Sequence, residues 1–189
     1  MSACRGRVVI EAGTGRPVAR DEPIGWVSAP STLSRDDLDK VVDCVTVATR
    51  RSLKYDVGYS IGVLVDIGMM ALSPAVNDPR TGVECTEALT AVCTELSRHQ
   101  LGIRTRRGED GTPLVVVHEA TIGDYLDAQG RQLLLYGGGD RAVTAALLRL
   151  GKQGERIAGS DRDRRLAQEF TADVESMRAN GAGSHGRNW

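Results

Sequence analysis

The most apolar stretch of the chain covers residues 57–72, which contain a single charged residue. Apolar side chains fill it for about four helical turns, so the pattern predicts a mostly buried helix. This helix is expected to end near Ser73, because the residue before a proline avoids helical backbone angles. After the turn, Asp78 suits an N-cap and Pro79 a first helical position, which predicts another helix that runs to about Arg98.

Four further segments begin with helix-capping residues and continue with apolar positions at helical spacing. The capping residues are Ser34 with Asp37, Thr121 with Asp124, Asp140, and Ser160 with Asp163. The first of these helices is expected over residues 35–50, and the second is expected to reach about Tyr136. Gly151 and Gly154 are expected to weaken the end of the helix that Asp140 caps.

Short apolar and β-branched runs predict a few strands. Residues 7–10 and 24–27 are strand candidates, separated by a segment whose turn lies at residues 13–15. Residues 114–118 predict one further strand, whereas the polar residues 101–112 are interpreted as a loop. Two short strands alone are marginal in water, so the N-terminal pair is expected to need a partner surface.

These patterns together predict a mainly α protein of about six helices, with a small N-terminal β element and one further short strand. The expected organisation is a partial β-rich module over residues 1–30, a helical domain over 31–179 and a disordered tail over 180–189. A chain of 189 residues can bury one sizeable core. Aromatic residues make up only 4% of it, so aliphatic side chains must fill that core.

Composition argues against several classes of protein. A formal net charge of -1 gives no general attraction to nucleic acid or to anionic membranes. The apolar run 57–72 is shorter than the roughly 20 residues of a membrane span and contains Asp66, so no transmembrane segment is predicted in this chain. The 4 cysteines form no Cys-x-x-Cys pair, and free thiols in a reducing cytoplasm are expected.

No established catalytic or metal-binding motif occurs in the sequence. His99, His118 and His185 are isolated, and no spacing supplies the three or four ligands that a metal ion needs. The glycine run 137–139 lacks the lysine of a phosphate-binding loop, so a helix-breaking linker is the favoured interpretation. The serine-hydrolase elbow is also absent. The sequence therefore predicts no metal ion and no cofactor.

Asp66 is the strongest candidate for chemistry, because a carboxylate on an apolar helix is costly unless it is paired. Candidate partners are Arg80, the start of the helix that follows Asp78, Lys54 and the basic pair at positions 50–51. The favoured interpretation is a buried clamp that fastens the helix to the turn after Ser73. A ligand contact or a proton acceptor is the alternative, since both kinds of site perturb ionisation.

The turn from Ser73 to Thr81 also has two interpretations. Backbone N–H groups at a helix N-terminus attract anions, and the side chains of Arg80 and Thr81 can add donors. Asp78 argues against an anion site, because its carboxylate would occupy the cap and repel negative charge. A rigid connection between two helices is therefore favoured.

The same stretch carries a family resemblance. The residues that carry it are Tyr55, Asp56, Gly58, Leu64-Val65-Asp66-Ile67, Ala71-Leu72-Ser73-Pro74-Ala75-Val76-Asn77-Asp78-Pro79 and Thr81. They resemble the core signature of the bacterial predicted membrane proteins known as domain of unknown function 2254, and residues 7–178 are similar to that family more loosely. The resemblance marks a set of signature residues with structural or ligand-contact roles: Asp66, Ser73, Pro74, Asn77, Asp78, Pro79, Arg80 and Thr81.

The resemblance implies a location but no reaction. Family members typically begin with several transmembrane helices followed by this soluble part, which implies the cytoplasmic, inner face of the membrane. Those helices and the first strands of the family's β-rich module have no counterpart in this sequence. Strands without neighbours have unpaired edges, so residues 7–27 are expected to be poorly packed or to pair with a second copy or a membrane-protein partner.

The leading functional hypothesis is a soluble domain that acts by protein contacts or sensing rather than by catalysis. The alternative is a small-ligand-binding or hydrolytic domain that uses Asp66 and Asp78 with His118 or Arg80. Proximity of these side chains in an open cleft would favour the alternative. A gene product with no function of its own is a third hypothesis, and no nucleic-acid partner is predicted.

Overall fold

The computed structural model describes residues 6–109 and 113–184. The described chain divides into two compact units. Unit 1 contains residues 6–56 and the described part of 102–119, and unit 2 contains residues 57–101 and 120–184. Unit 1 therefore extends past residue 30 and also takes in a second pair of strands from the middle of the chain.

Unit 1 is built on a four-stranded sheet. Its strands are β1 (Arg7–Ile10), β2 (Gly25–Ser28), β3 (Ile103–Arg107) and β4 (Pro113–His118). The order in the sheet is β2-β1-β4-β3. β1 pairs antiparallel with β2 and parallel with β4, while β3 and β4 pair antiparallel. The N-terminal strands therefore find the partner that two short strands need, and β4 supplies it.

The register of the sheet shows how the inner strand β1 is packed. Val9 lies opposite Val116 of β4 and Trp26 of β2, and its side chain is only 6% exposed. β1 is thus an inner strand, paired along both edges, with a buried side chain. Val9 is the one buried apolar side chain among the described residues of unit 1, so the core of this unit is small. The expectation that residues 7–27 are poorly packed or pair with a second copy stays a prediction.

The prediction of a loop over residues 101–112 is wrong for five of them, which form β3. β3 is an edge strand, and four of its five side chains are exposed. A strand with no buried face needs no alternation of apolar and polar residues, and the sequence of β3 does not show one. Pairing with β4, and not local pattern, makes it a strand.

The helix of unit 1 is shorter than predicted. α1 (Arg35–Val42) begins at the expected capping box, in which the Asp37 N–H donates to Ser34 Oγ over 3.2 Å. It ends at Val42, whereas the sequence pattern predicts a helix to residue 50. None of its residues is buried, and a helix gains most of its stability from packing an apolar face. Without that packing the apolar pattern alone does not extend it.

Unit 2 is helical. Its helices are α2 (Val57–Leu72), α3 (Pro79–Leu96), α4 (Ile122–Tyr125), α5 (Arg131–Gly137), α6 (Arg141–Ile157) and α7 (Asp161–Ser184). A π-helical turn, Leu126–Gly130, joins α4 and α5 without a break. The segment predicted to run to about Tyr136 is therefore one helical stretch. The prediction of a mainly α protein with about six helices and a small β element is confirmed.

The core of unit 2 surrounds α6. This helix packs against α3 and α7, and α2 packs against α3 and α5. α6 continues through Gly151 and Gly154 to Ile157, so these glycines do not end the helix. A Cβ at Gly151 would lie 3.2 Å from Phe170 Cδ1, so this glycine lets α7 approach closely. The packing gained between helices offsets the lower helix propensity of glycine.

The last two helices begin where the sequence predicts. Asp140 Oδ1 accepts from the N–H groups of Ala142 at 2.7 Å and Val143 at 3.0 Å. At the start of α7, the Asp163 N–H donates to Ser160 Oγ over 3.1 Å. α7 continues to Ser184, past the residue at which a disordered tail is expected to begin. Residues 185–189, with His185, lie outside the described residues.

Candidate functional site

Helix α2 carries the residues that the sequence marks most strongly, and its two faces differ. The inward face is buried and consists of Ile61, Val65, Gly68, Ala71 and Leu72. The outward face is exposed at Asp66, at Ile67 (50%) and at Met70 (69%). An apolar sequence therefore covers both the face that builds the core and the face that does not.

The expectation that Asp66 is a buried clamp is wrong, because its side chain is exposed. Within the described chain no hydrogen bond or ion pair of the Asp66 carboxylate is found. Two of its candidate partners bind elsewhere: Arg80 pairs with Glu84 over 3.1 Å, and Arg51 pairs with Asp56 over 2.6 Å. The error arose because periodicity cannot choose the buried face of a helix that is apolar nearly all round.

The end of α2 is closed by hydrogen bonds of Ser73. The Ser73 hydroxyl donates to the Met70 carbonyl oxygen over 2.7 Å. The Ser73 carbonyl oxygen accepts from the N–H groups of Val76 at 3.1 Å and Asn77 at 2.8 Å. Asn77 has a φ of 51°, in the left-handed region that asparagine tolerates. The stop after Leu72 and the tight turn are thus both made by local contacts.

The start of α3 is closed by Asp78. Its Oδ2 accepts from the Thr81 hydroxyl over 2.6 Å and its Oδ1 from the Thr81 N–H over 3.2 Å. The Asp78 N–H in turn donates to the Ala71 carbonyl oxygen over 2.8 Å. The hydrogen bond from the Thr81 hydroxyl is the main cause that lowers the pKa of Asp78. A charged carboxylate therefore occupies the helix N-terminus that an anion would need.

The two helices on either side of this turn are in close contact. A Cβ at Gly82, in the first turn of α3, would lie 2.7 Å from Leu72 Cγ at the end of α2. Such a separation is too short for real carbon atoms, so a larger residue would push the two helices apart. We call the segment from Ser73 to Gly82 the α2–α3 joint. The close packing at this joint favours the interpretation of a rigid connection, which stays a prediction.

The other candidate residues do not join Asp66. Arg80 is highly exposed and holds Glu84 on its own helix. His118 is the last residue of β4 in unit 1 and lies exposed opposite Ile103. Among the described residues, no hydrogen bond or ion pair links Asp66 to Asp78, to Arg80 or to His118.

One ion pair escaped the sequence analysis. Asp56 is only 4% exposed, and its carboxylate oxygens accept from Arg51 Nε over 2.6 Å and from Arg51 Nη2 over 2.9 Å. Gly15, with a φ of 79°, lies against both side chains, and a Cβ there would lie 2.6 Å from Arg51 Nη2. The sequence offers one indication of this ion pair, a carboxylate five residues after an arginine. Nothing in the local sequence indicates that Gly15 lies against the pair.

A second network joins the capping boxes of α4 and α7. The Thr121 hydroxyl hydrogen-bonds the buried Asp163 carboxylate, and Arg162 Nη2 donates to Asp124 Oδ1 over 2.7 Å. Burial by itself raises the pKa of Asp124, but the hydrogen bonds from Arg162 and Thr121 outweigh it and lower the pKa. The sequence predicted each box, whereas the contact between them follows only from the packing of α4 on α7.

Cys44 is a free, exposed thiol, whereas the other two described thiols, Cys85 and Cys93, are buried. Burial raises the pKa of Cys93 to about 12, which keeps this thiol protonated and unreactive at neutral pH. Cys85 is also buried, and its pKa is raised for the same reason. Over residues 6–109 and 113–184, His, Cys, Asp and Glu side chains form no group of three that could hold a metal ion.

The fold defines the class: a mainly α protein with a small mixed sheet. The family model described as "Predicted membrane protein (DUF2254)" matches residues 1–153. The chain therefore belongs to this family of predicted membrane proteins. Among its described helices, none combines the length and the apolarity that a membrane crossing requires.

Its relatives are longer proteins. Uncharacterized proteins of Mycobacterium bovis and of two strains of Mycobacterium tuberculosis are each 29% identical to this chain over 153 residues. The matched region is 79% of this chain and 29% of each relative. The chain thus spans less than a third of the length of the curated relatives it matches. No solved structure matches it.

Proposed function

We propose that this chain works through protein contacts rather than by catalysis, as a self-associating module of its membrane-protein family. The observation that carries the proposal is the difference between the two edges of the sheet. The outer edge of β3 carries Arg104, Arg106 and Arg107, whereas β2 carries no charged residue over Gly25–Ser28. Charged side chains therefore protect the β3 edge against pairing with another strand, and the β2 edge lacks this protection.

An unpaired strand edge presents N–H and C=O groups that can pair with another chain, and charged side chains are a common protection. β3 follows that pattern, and its Arg104 forms an ion pair with Glu119. β2 instead presents Trp26, whose side chain is 46% exposed and donates to Glu11 Oε1 over 3.3 Å. The edge of β2 is therefore the better surface for strand addition.

The partner that fits this edge is a second copy of the chain. Most soluble oligomers are symmetric, and a two-fold axis brings the same strand of both copies together. Antiparallel pairing of β2 with its own copy would extend the sheet and brings no like charges into contact. The family's description as predicted membrane proteins supports a site of action at a membrane. We propose its inner, cytoplasmic face. A strand of a membrane-protein partner could use the same edge.

Sedimentation velocity at micromolar concentrations tests the proposal. We expect the unmodified chain to sediment as a dimer and Trp26→Lys to shift it to monomer by placing a charge on the open edge. Ile103→Lys is the matched control, because Ile103 is an exposed apolar residue (59%) on the guarded edge strand. It should leave the dimer intact.

Two outcomes would contradict the proposal. A monomeric unmodified chain would rule out self-association and leave a different partner for β2. A dimer that resists Trp26→Lys, or that Ile103→Lys disrupts equally, would place the contact elsewhere. Circular dichroism of both variants shows whether either lysine unfolds the protein.

A further inference from the structure

The outward face of α2 forms an apolar row that is partly exposed at Val63 and exposed at Ile67 and Met70 in the described part of the chain. Val63, Ile67 and Met70 follow one another at helical spacing, and the last two are 50% and 69% exposed. The opposite face of the same helix is buried in the core of unit 2. The buried face therefore fixes α2 on the core of unit 2, while this row faces outward. Such a row on a fixed helix is a typical surface for another helix.

The acid beside this row is a single charge on an otherwise uncharged helix. Some other carboxylates on the helices of unit 2 pair with arginines, as Glu84 does with Arg80 and Glu87 does with Arg149. Asp66 is the only charged residue of α2 and, within the described chain, forms no ion pair. A partner that covers the apolar row must also cover this charge, and a buried unpaired carboxylate is costly. The partner should therefore supply a cation.

The shape of α2 at this point favours close contact. Gly62 lies one turn before Asp66, and a Cβ built on it would meet no atom within 4 Å. By contrast, a Cβ on Gly68 would lie 2.6 Å from Leu133 Cδ2, so that glycine already serves the packing of α5. Gly62 leaves room for another backbone to approach.

We propose that this face of α2 docks an amphipathic helix whose apolar side carries one lysine or arginine, which pairs with Asp66. The inference deepens the proposed contact role, but it rests on unit 2 and does not depend on the edge of β2. A second copy docking through the same face about a two-fold axis at Asp66 would bring two carboxylates together, which is unfavourable. An anionic lipid surface would repel the same charge.

Designed peptides test the charge rule directly. The probe is an 18-residue helical peptide with a leucine face and a central arginine, compared by fluorescence anisotropy with the same peptide carrying a central glutamate. We expect the unmodified chain to bind the arginine peptide about tenfold more tightly, since close charge pairs at interfaces discriminate by at least this much. Asp66→Arg should reverse the preference.

Two controls separate docking from general attraction. Glu175→Arg makes the same charge change at an exposed position of α7 and should keep the preference for arginine. Ile67→Ser combined with Met70→Ser should weaken both peptides by removing the apolar row. Equal binding of the two peptides, or a reversal by Glu175→Arg, would overturn the inference. The Asp66→Arg variant should also sediment at the same rate as the unmodified chain. That result would show that the self-association proposed for β2 does not use this face of α2.

Discussion

At the scale of single residues, the two aspartates of the signature have different roles although both stand beside apolar sequence. Asp78 is satisfied by Thr81, three positions away, and its pKa is lowered accordingly. Asp66 has an exposed side chain, with no such neighbour among the described residues. The role of Asp78 can be predicted from the sequence, because its hydrogen-bond donor lies within one helical turn. The exposure of Asp66 cannot be predicted in this way.

The exposure of Asp66 predicts the outcome of its neutralisation. Asp66→Asn should change the free energy of unfolding by no more than about 0.5 kcal/mol, as is usual for exposed positions without a partner. Asp140→Ala is the comparison, because it removes an N-cap that accepts two backbone N–H groups and should cost about 1 kcal/mol. Urea unfolding followed by circular dichroism measures both. A loss for Asp66→Asn as large as that for Asp140→Ala would restore the clamp.

At the scale of elements, the α2–α3 joint shows how a sequence can specify a connection almost completely. Ser73 closes one helix, Asn77 takes the left-handed conformation and Asp78 opens the next helix, each through contacts within a few residues. These boundaries can be predicted from the sequence for that reason. α1 is the counterexample: its cap was predicted correctly, but its end depends on packing that the helix lacks.

Two glycines of these helices should respond in opposite ways to alanine. Gly62→Ala should stabilise the protein by about 0.5–1 kcal/mol, because the methyl group meets open space and alanine favours a helix. Gly82→Ala should destabilise it by about 1–3 kcal/mol, because the methyl group overlaps Leu72, a buried core residue. Thermal or urea unfolding measures the pair. Equal stabilisation by both would mean that the joint is not tightly packed.

At the scale of the whole molecule, the two units differ in how much apolar surface they bury. Unit 2 has a continuous core that includes Leu89, Leu133, Leu147 and Phe170, all fully buried. Among the described residues of unit 1, Val9 is the most buried apolar side chain, and it is still 6% exposed. Since local stability follows burial, the sheet should open more readily than the helices.

Hydrogen exchange measures this difference. We expect the amides of β1 and β4 to exchange at least about tenfold faster than those of α6, because fewer buried contacts resist their opening. Pairing of β2 with a second copy should slow exchange in the sheet as the concentration rises. If the sheet amides are as well protected as those of α6 at every concentration, the lower stability of the sheet and its dependence on self-association are both contradicted.

The sequence by itself determined the helix caps, the end of α2, the start of α3 and the family signature. These features rest on hydrogen bonds between residues a few positions apart, so local residue types suffice to specify them. Tertiary structure alone decided that β3 is a strand, that Gly15 lies against Asp56 and Arg51, and that Asp66 faces outward. Each of those depends on which distant segments come together. Long-range packing decides that, and the local pattern does not encode it.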